Sequence, residues 1–225
     1  MVAPKVYQRE SDYDRWMAKE GIPIYKGNSA DGFGIKLAHW NRLGADAAFV
    51  DLEYSEQTSG CIVMQIAAGK STKPQKHLYE LYIYVMKGEG TTTIQMPGGP
   101  RQTVHWKEQD LFTVPINTTY EIAAGSGGPV RLYQVNSAPM MINLMHNDEF
   151  LFNNPYIFRD RYDGAEDFYF RKRVVSQAPY ILEQNHVPNI RDFQNPNAKT
   201  VSIEDSETGR VPWGRRVQWE PAQGS

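Results

Sequence analysis

The amino-acid sequence predicts an all-β protein, either a sandwich or a small barrel, with one short helix before it. Short segments of strand-like composition follow one another between residues 34 and 137, and clusters of Gly, Pro, Asn and Asp separate them. In segments 60–67 and 78–87, apolar residues occupy both sets of alternate positions, which is typical of strands covered on both faces. Helix signals are scarce, which argues against β-α-β units.

One helix is predicted, over residues 11–20. Ser11 followed by Asp14 is a capping-box pattern with Asp in place of Glu, and Gly21 and Pro23 end the helix. Large side chains fall on one face at spacings i, i+3 and i+4, namely Tyr13, Trp16 and Met17. This face predicts that the helix packs against the rest of the protein.

The strands are predicted in chain order with turns between them. The predicted segments are 34–40, 47–54, 60–67, 78–87, 91–96, 102–106, 111–115, 120–124 and 130–135. The predicted organisation is an N-terminal helix and arm over 1–33, a β-barrel over 34–140, an aromatic-rich wrap over 141–193 and a tail or linker over 194–225. The wrap is expected to be extended and partly helical, because Phe and Tyr are too frequent there for a disordered segment.

Composition and charge exclude several classes of function. With 24 basic and 26 acidic residues the net charge is -2, so neither a broad basic surface for nucleic acid nor a polybasic membrane anchor is expected. Cys61 is the single cysteine, which excludes an intramolecular disulfide and a cysteine-based zinc cluster. Apolar runs stay short of the roughly 18 residues of a membrane helix, and the N-terminus shows no signal-peptide pattern. We therefore expect a cytoplasmic protein without nucleic-acid or membrane partners.

Two motifs with defined spacing lie inside the predicted barrel. The first begins with a turn at Gly69, passes His77 and ends in the hairpin sequence Val-Met-Lys-Gly-Glu-Gly over 85–90. The second, two short strands later, consists of Asp110, Pro115, Asn117 and Tyr120. Together they resemble the two motifs of the cupin superfamily, over roughly residues 35–137. The resemblance implies a cupin-type jelly-roll barrel, also called a double-stranded β-helix.

The resemblance also implies where a metal site would lie. The two His, the Glu and the last His of the cupin motifs fall on Gln75, His77, Leu81 and Tyr120 in this chain. Glu80, one residue from the Glu position, is expected to face the other way unless a bulge re-aims it. Gln75, His77 and Tyr120 are the predicted ligand-binding residues. A metal would be held by His77, with Gln75, Glu80 or Tyr120 as weak additional ligands.

Three functions remain open on this basis. The first is a cupin that binds a small organic molecule in the barrel mouth without a full catalytic metal site. The second is a metal-dependent enzyme, resembling cupin dioxygenases or isomerases, with a rearranged site and divalent Fe, Mn, Zn or Ni as its cofactor. The third is a structural half-module with a vestigial pocket that pairs with another cupin.

The flanking segments carry a second resemblance. Residues 13–23, 139–158 and 185–193 are similar to the first half of gentisate-dioxygenase-like proteins with two cupin barrels. A natural single cupin and a truncated two-cupin protein both fit this resemblance.

An open sheet edge and the apolar wrap predict an oligomer, with a homodimer as the expected state.

Overall fold

The computed structural model describes residues 10–52, 58–165 and 168–169, and the backbone of 199–202 and 217–220. Helix α1 (Asp12–Glu20) begins at Ser11, whose hydroxyl accepts the Asp14 N–H at 3.0 Å. The Asp14 carboxylate accepts the Ser11 N–H at 3.1 Å, which completes the capping box. Gly21, with a φ of 72°, ends the helix in the left-handed region. The predicted helix is confirmed, and its apolar face is buried.

Strands occupy most of the chain from residue 24 to residue 136, and two short helices follow. The strands are β1 (Ile24–Gly27), β2 (Ala38–Trp40), β3 (Ala45–Leu52), β4 (Gly60–Ile66), β5 (Leu81–Lys87), β6 (Glu89–Gln95), β7 (Arg101–Lys107), β8 (Leu111–Val114), β9 (Thr119–Ala124) and β10 (Val130–Asn136). The helices are α2 (Ala138–Met145) and α3 (Asp148–Phe152). Every predicted strand segment overlaps one of these strands, so the all-β prediction is confirmed.

β1 is a strand that the sequence did not predict. It pairs in parallel with β3, and Ile24 lies opposite Phe49. Its residues show no alternation of buried and exposed side chains, so the segment lacks the period-2 pattern by which strands are predicted. The neighbouring strand, rather than the local sequence, defines this segment as β structure.

The strands form two sheets around one core. The larger sheet has the order β1-β3-β4-β10-β5-β8, with β2 beside β3, and the smaller sheet has the order β7-β6-β9. Apart from β1 with β3, these strands pair antiparallel. Side chains alternate between the core and the outer face, as they do in a barrel. The core is apolar and includes Ile83, Val85, Ile94, Ile122 and Leu132. The architecture is a jelly-roll barrel.

The outer face of the larger sheet is covered over only part of its width. Above β3 and β4, Ile35 forms a second, smaller core with Ala48, Val50 and Val63. The prediction that segment 60–67 is covered on both faces is therefore confirmed. On β5, by contrast, Tyr82 is 45% exposed. The same prediction for segment 78–87 holds only in part, because the segment around Gly32 reaches Met86 and leaves Tyr82 exposed.

The described part of the wrap is bonded to the barrel. The Leu78 N–H donates to the carbonyl of Leu151 in α3 at 2.8 Å, and the Tyr162 hydroxyl donates to Gln102 Oε1 at 2.8 Å. The wrap is partly helical, as predicted, through α3 and most of α2. Its residues 166–167 and 170–193 lie outside the described residues.

The predicted tail, 194–225, also lies mostly outside the described residues. Its described backbone forms one antiparallel pair, β11 (Lys199–Ser202) with β12 (Val217–Glu220), which the sequence did not predict. Among the described helices, none is long and apolar enough to cross a membrane.

Candidate functional site

The two motifs are held together by backbone hydrogen bonds at one end of the barrel. The Gln75 N–H donates to the Tyr120 carbonyl at 2.8 Å, and the Tyr120 N–H donates back to the Gln75 carbonyl at 2.9 Å. The Asn117 N–H donates to the His77 carbonyl at 3.0 Å. These bonds fix the segment around His77 against the start of β9.

His77 and Tyr120 form a hydrogen-bonded pair inside the protein. His77 Nε2 lies 3.0 Å from the Tyr120 hydroxyl oxygen, and His77 Nδ1 lies 3.0 Å from the carbonyl oxygen of Tyr79. Since a carbonyl only accepts, the imidazole proton is assigned to Nδ1, and the Tyr120 hydroxyl donates to Nε2. Both ring nitrogens are thus engaged, including the Nε2 lone pair that a metal ion would use.

Burial keeps both side chains of this pair neutral. His77 is 5% exposed and Tyr120 is 4% exposed. Desolvation lowers the pKa of His77 to about 3 and raises the pKa of the Tyr120 hydroxyl well above its ordinary value. The His77 ring also stacks on the ring of Tyr79, with centroids 3.7 Å apart. At neutral pH the pair is an uncharged imidazole and an uncharged phenol.

Gln75 does not direct its side chain to His77. Its amide nitrogen donates to the carbonyl of Arg42 at 2.9 Å and to the carbonyls of Lys73 and Pro74 at 3.2 Å. The backbone of Gln75 contacts Tyr120, whereas its side-chain amide is bonded to loop carbonyls. Of the three predicted ligand-binding residues, the structure joins the side chains of His77 and Tyr120.

Glu80 and Leu81 lie on opposite faces of the start of β5. Leu81 is buried in the barrel core, while Glu80 is exposed. No bulge re-aims Glu80 within the described strand pairs of β5, whose register shift falls at the other end, between Arg131 and Leu132 of β10. At the position of the cupin motif's Glu, this chain therefore places the apolar side chain of Leu81 in the barrel core.

These residues do not fit a divalent metal ion. A catalytic site needs three or four imidazole or carboxylate ligands directed at one point. Among the residues that the structure describes, no cluster of three or more His, Cys, Asp and Glu side chains is placed to hold one. At the motif positions the donors are His77, already bonded on both nitrogens, and the neutral hydroxyl of Tyr120.

A layer of aromatic side chains covers this end of the barrel. Phe152 of α3 packs edge-on against Tyr79, with centroids 6.1 Å apart, and stacks on Trp16 of α1. The Arg42 guanidinium lies 4.4 Å from the Phe152 ring centroid and is bonded to Glu20, with Arg42 Nε 2.9 Å from Glu20 Oε1. Helices α1 and α3 therefore close the barrel over His77.

The sequence did not identify Tyr79 or Phe152 as part of the site. For Tyr79 a signal existed, because it follows His77 at spacing i, i+2 inside the first motif. For Phe152 no local signal existed, since its position depends on how α3 folds back onto the barrel.

Asn117 is hydrogen-bonded to the wrap at the end of the barrel where His77 lies. Its φ is 59°, so it adopts the left-handed conformation, which Asn tolerates better than most residues. Its side-chain amide donates to the carbonyl of Asn154 at 3.1 Å and to that of Tyr156 at 2.7 Å. Gln109, which precedes Asp110 of the second motif, is also left-handed, with a φ of 72°.

A shallow cleft lies outside the barrel beside Glu80. It has a volume of about 230 Å³ between β5, β8 and the wrap. Its polar groups are the side chains of Glu80, Tyr82, Thr113 and Arg161, and its apolar surface includes Pro115, Ile116 and Phe168. Glu80 and Leu81, which line this cleft, follow directly after Tyr79 in the chain.

Comparison with known proteins finds similar solved structures, and a cupin domain is among them. No family model matches it, and no curated protein matches it in sequence. The Schizosaccharomyces pombe Cnp3 cupin domain is 17% identical, with 48% of this chain and 72% of that chain covered and a TM-score of 0.41. A variant of Bacillus subtilis oxalate decarboxylase is 18% identical, with 48% and 28% covered and a TM-score of 0.41.

A variant of salicylate 1,2-dioxygenase from Pseudoaminobacter salicylatoxidans is a further similar structure. It is 22% identical, with 38% of this chain and 22% of that chain covered and a TM-score of 0.33. The matched region therefore spans under a third of each of these two enzymes. The jelly-roll architecture rests on the strand order of this chain described above.

Proposed function

We propose that this chain is a cupin-like domain that binds a small organic molecule and does not use a catalytic metal. The observation that carries the proposal is the hydrogen bond from the Tyr120 hydroxyl to His77 Nε2. That bond engages the atom through which an imidazole would ligate a metal. A metal at this position would have to break the bond and would find Leu81 where the cupin motif has a carboxylate.

The small molecule is proposed to bind at the rim of the barrel rather than inside it. The sequence analysis placed it in the barrel mouth, with Gln75, His77 and Tyr120 as its contacts. Those hydrogen-bonding groups are engaged with one another and with loop carbonyls, and aromatic side chains cover them. The cleft beside Glu80 offers accessible groups instead.

The groups of that cleft favour a weakly acidic ligand with an apolar portion. The Arg161 guanidinium lies 3.8 Å from the Asp160 carboxylate and 5.0 Å from the Phe158 ring centroid, and its remaining N–H groups suit a carboxylate. Glu80 and Tyr82 offer an acceptor and a hydroxyl. Phe168 and Pro115 supply apolar contact area. A volume of about 230 Å³ limits the ligand to a small molecule.

The test is a thermal-shift screen with small organic acids, followed by variants of the cleft. We expect an acid that raises the Tm of the wild-type protein, because ligand at about 100 times its Kd stabilises by about 2.7 kcal/mol. Arg161→Ala should abolish the shift, whereas Arg159→Ala, an exposed arginine outside the cleft, should preserve it. A screen without any stabilising acid, or a shift that survives Arg161→Ala, contradicts the proposed site.

A second candidate function is pairing with another cupin, for which the exposed side chains of Tyr82 and Leu111 on β5 and β8 are the supporting observation. Tyr82 is 45% exposed and Leu111 is 43% exposed on the outer face of these strands, and exposed apolar area of this kind often marks an interface. The homodimer predicted from the sequence would use this face. Light scattering tests this proposal. We expect a wild-type dimer that Tyr82→Lys and Leu111→Lys convert to a monomer, and a wild-type monomer at high micromolar concentration contradicts the proposal.

Cytoplasmic localisation stays a prediction from the sequence.

A further inference from the structure

A second cleft lies on the smaller sheet, where β6 begins and β7 ends. It is lined by residues of both strands and by Gly125, which follows β9. Its volume of about 510 Å³ is more than twice that of the cleft beside Glu80, at about 230 Å³. It also falls within the range of about 300–1,000 Å³ that is usual for small-molecule sites. Neither His77 nor Tyr120 lines it, so it is separate from the site predicted in the barrel mouth.

Four polar side chains of this cleft lie on the outer face of the smaller sheet. Thr91 of β6 is paired with His105 of β7, and Glu89 is paired with Lys107. Residues directly opposite each other on antiparallel strands point to the same face, with their Cβ atoms about 4.5–5.5 Å apart. Glu89, His105 and Lys107 are exposed, so their charged or polar groups are accessible to a ligand from solvent.

Glu89 and Lys107 carry opposite charges at paired positions, but no ion pair joins them. Opposite charges at such positions attract each other, yet neither side chain takes part in an ion pair among the residues that the structure describes. Glu89 is directed the other way, with its Oε1 4.0 Å from the position that a Cβ would take at Gly127. Gly127 follows β9, and β6 lies between β7 and β9. Both charges are therefore available to a ligand.

Backbone and an indole ring border the cleft between Glu89 and Thr91. Gly90 has no side chain, and an added Cβ would lie 2.5 Å from Cη2 of Trp106, so a larger residue would displace that ring. Asp110 also borders the cleft. It is 3% exposed, and its carboxylate accepts the Lys107 N–H at 2.8 Å. Asp110 thus holds the turn after β7, and the accessible carboxylate is that of Glu89.

The accessible charges argue against two classes of ligand. Glu89, His105 and Asp110 do not form a cluster placed to hold a metal ion, within the described part of the chain. A phosphate-like anion would be attracted by Lys107 but repelled by Glu89, because like charges at close range raise the energy of binding. A ligand that carries one charge of each sign is attracted by both residues.

We propose that this cleft binds a small zwitterion with the chemistry of a free amino acid. The carboxylate of the ligand pairs with Lys107 and accepts a hydrogen bond from His105, and its ammonium group pairs with Glu89. The rest of the ligand lies against Gly90 and the ring of Trp106. This site is independent of the ligand proposed for the cleft beside Glu80, since the two clefts have no lining residue in common.

The experiment follows the histidine ring C–H signals of the chain in a ¹H–¹³C correlation spectrum at pH 7. Leucine is titrated beside N-acetylleucine and leucinamide, each of which lacks one of its two charges and has the charge of a peptide end. Leucine is expected to move the His105 signal to saturation, and each analogue should bind at least tenfold more weakly because one ion pair is lost. The His77 signal is the internal control and should stay in place, since both of its ring nitrogens are bonded within the protein.

Substitutions separate this cleft from other parts of the surface. Glu89→Gln and Lys107→Gln should each weaken leucine binding at least tenfold. Arg101→Gln, which alters an exposed cation of the same strand outside the cleft, should leave it unchanged, and so should Arg161→Ala in the cleft beside Glu80. No movement of the His105 signal with leucine, an equal response to either analogue, a response that survives Glu89→Gln or Lys107→Gln, or one that is lost in Arg101→Gln or Arg161→Ala overturns the proposal.

Discussion

The pair formed by His77 and Tyr120 and the indole of Trp16 are two buried polar sites with different hydrogen bonding. At His77 each ring nitrogen has a partner, and the Tyr120 hydroxyl has one as well. At Trp16 the indole donor has none among the described residues. A buried polar group whose partners are built into the fold stabilises that fold, whereas a buried donor without a partner costs about 1–3 kcal/mol. The comparison separates a polar pair that stabilises the protein from a donor that lowers its stability.

Removal of His77 is expected to have the largest effect on stability. His77→Ala deletes a buried ring that stacks on Tyr79 and leaves the Tyr120 hydroxyl without its acceptor. We expect the free energy of unfolding to fall by about 3–5 kcal/mol, measured by urea denaturation at pH 7. His105→Ala, on the exposed face of β7, is the control and should change it by less than about 0.5 kcal/mol. Equal small effects in both variants would contradict a structural role for His77.

Tyr120→Phe measures the contribution of the hydrogen bond alone, because it removes the hydroxyl and keeps the aromatic ring. The substitution keeps the aromatic packing but leaves His77 Nε2 as a buried acceptor without a donor, which should cost about 1–3 kcal/mol. Denaturation curves of this variant are compared with those of Tyr156→Phe, in which the altered ring is exposed and no comparable loss is expected. A Tyr120→Phe protein as stable as the wild type would show that the bond contributes nothing.

The acid sensitivity of the fold should also depend on His77. Its pKa is about 3 in the folded protein against an ordinary value of 6.5, so between these values the unfolded chain binds a proton that the folded chain excludes. Stability therefore falls as the pH is lowered through this window, by up to about 1.4 kcal/mol per pH unit. His77→Gln removes this contribution, and the two stability profiles should converge as the pH falls from 6.5 to 4.5. Parallel profiles over that range would mean that His77 titrates normally in the folded state.

Glu80→Gln is expected to have the smallest effect. The side chain is exposed outside the barrel, so the free energy of unfolding should change by less than about 0.5 kcal/mol. Urea denaturation checks this in parallel with His77→Ala. A loss of more than about 1.5 kcal/mol would instead indicate that Glu80 has a buried partner, and would reopen its role at the site.

The sequence predicted the parts of the fold that local patterns control. The α1 cap follows from Ser11 and Asp14, and each predicted strand segment overlaps an observed strand. The sequence did not predict β1, because its pairing with β3, rather than a pattern in its own residues, makes it a strand. The outer face of β5 was predicted to be covered because both sets of alternate residues are apolar, but apolar composition does not say which strand the covering segment crosses.

Less of the site could be predicted, because it depends on side-chain directions. His77 and Tyr120 were identified through the motif resemblance, and the structure brings them within 3.0 Å. The side chain of Gln75 is instead bonded to the carbonyl of Arg42, in a loop far away in sequence. No spacing rule connects these two positions, and none places Phe152 over Tyr79.

The central claim, that Tyr120 rather than a metal occupies the Nε2 position of His77, is tested most directly by elemental analysis. The purified chain is incubated with iron(II), manganese, zinc or nickel, desalted and measured for metal per chain, beside His77→Ala. We predict well under one metal per chain in both proteins, with no difference between them. Nearly one metal per wild-type chain that is lost on His77→Ala would contradict the account and favour the metal-dependent enzyme.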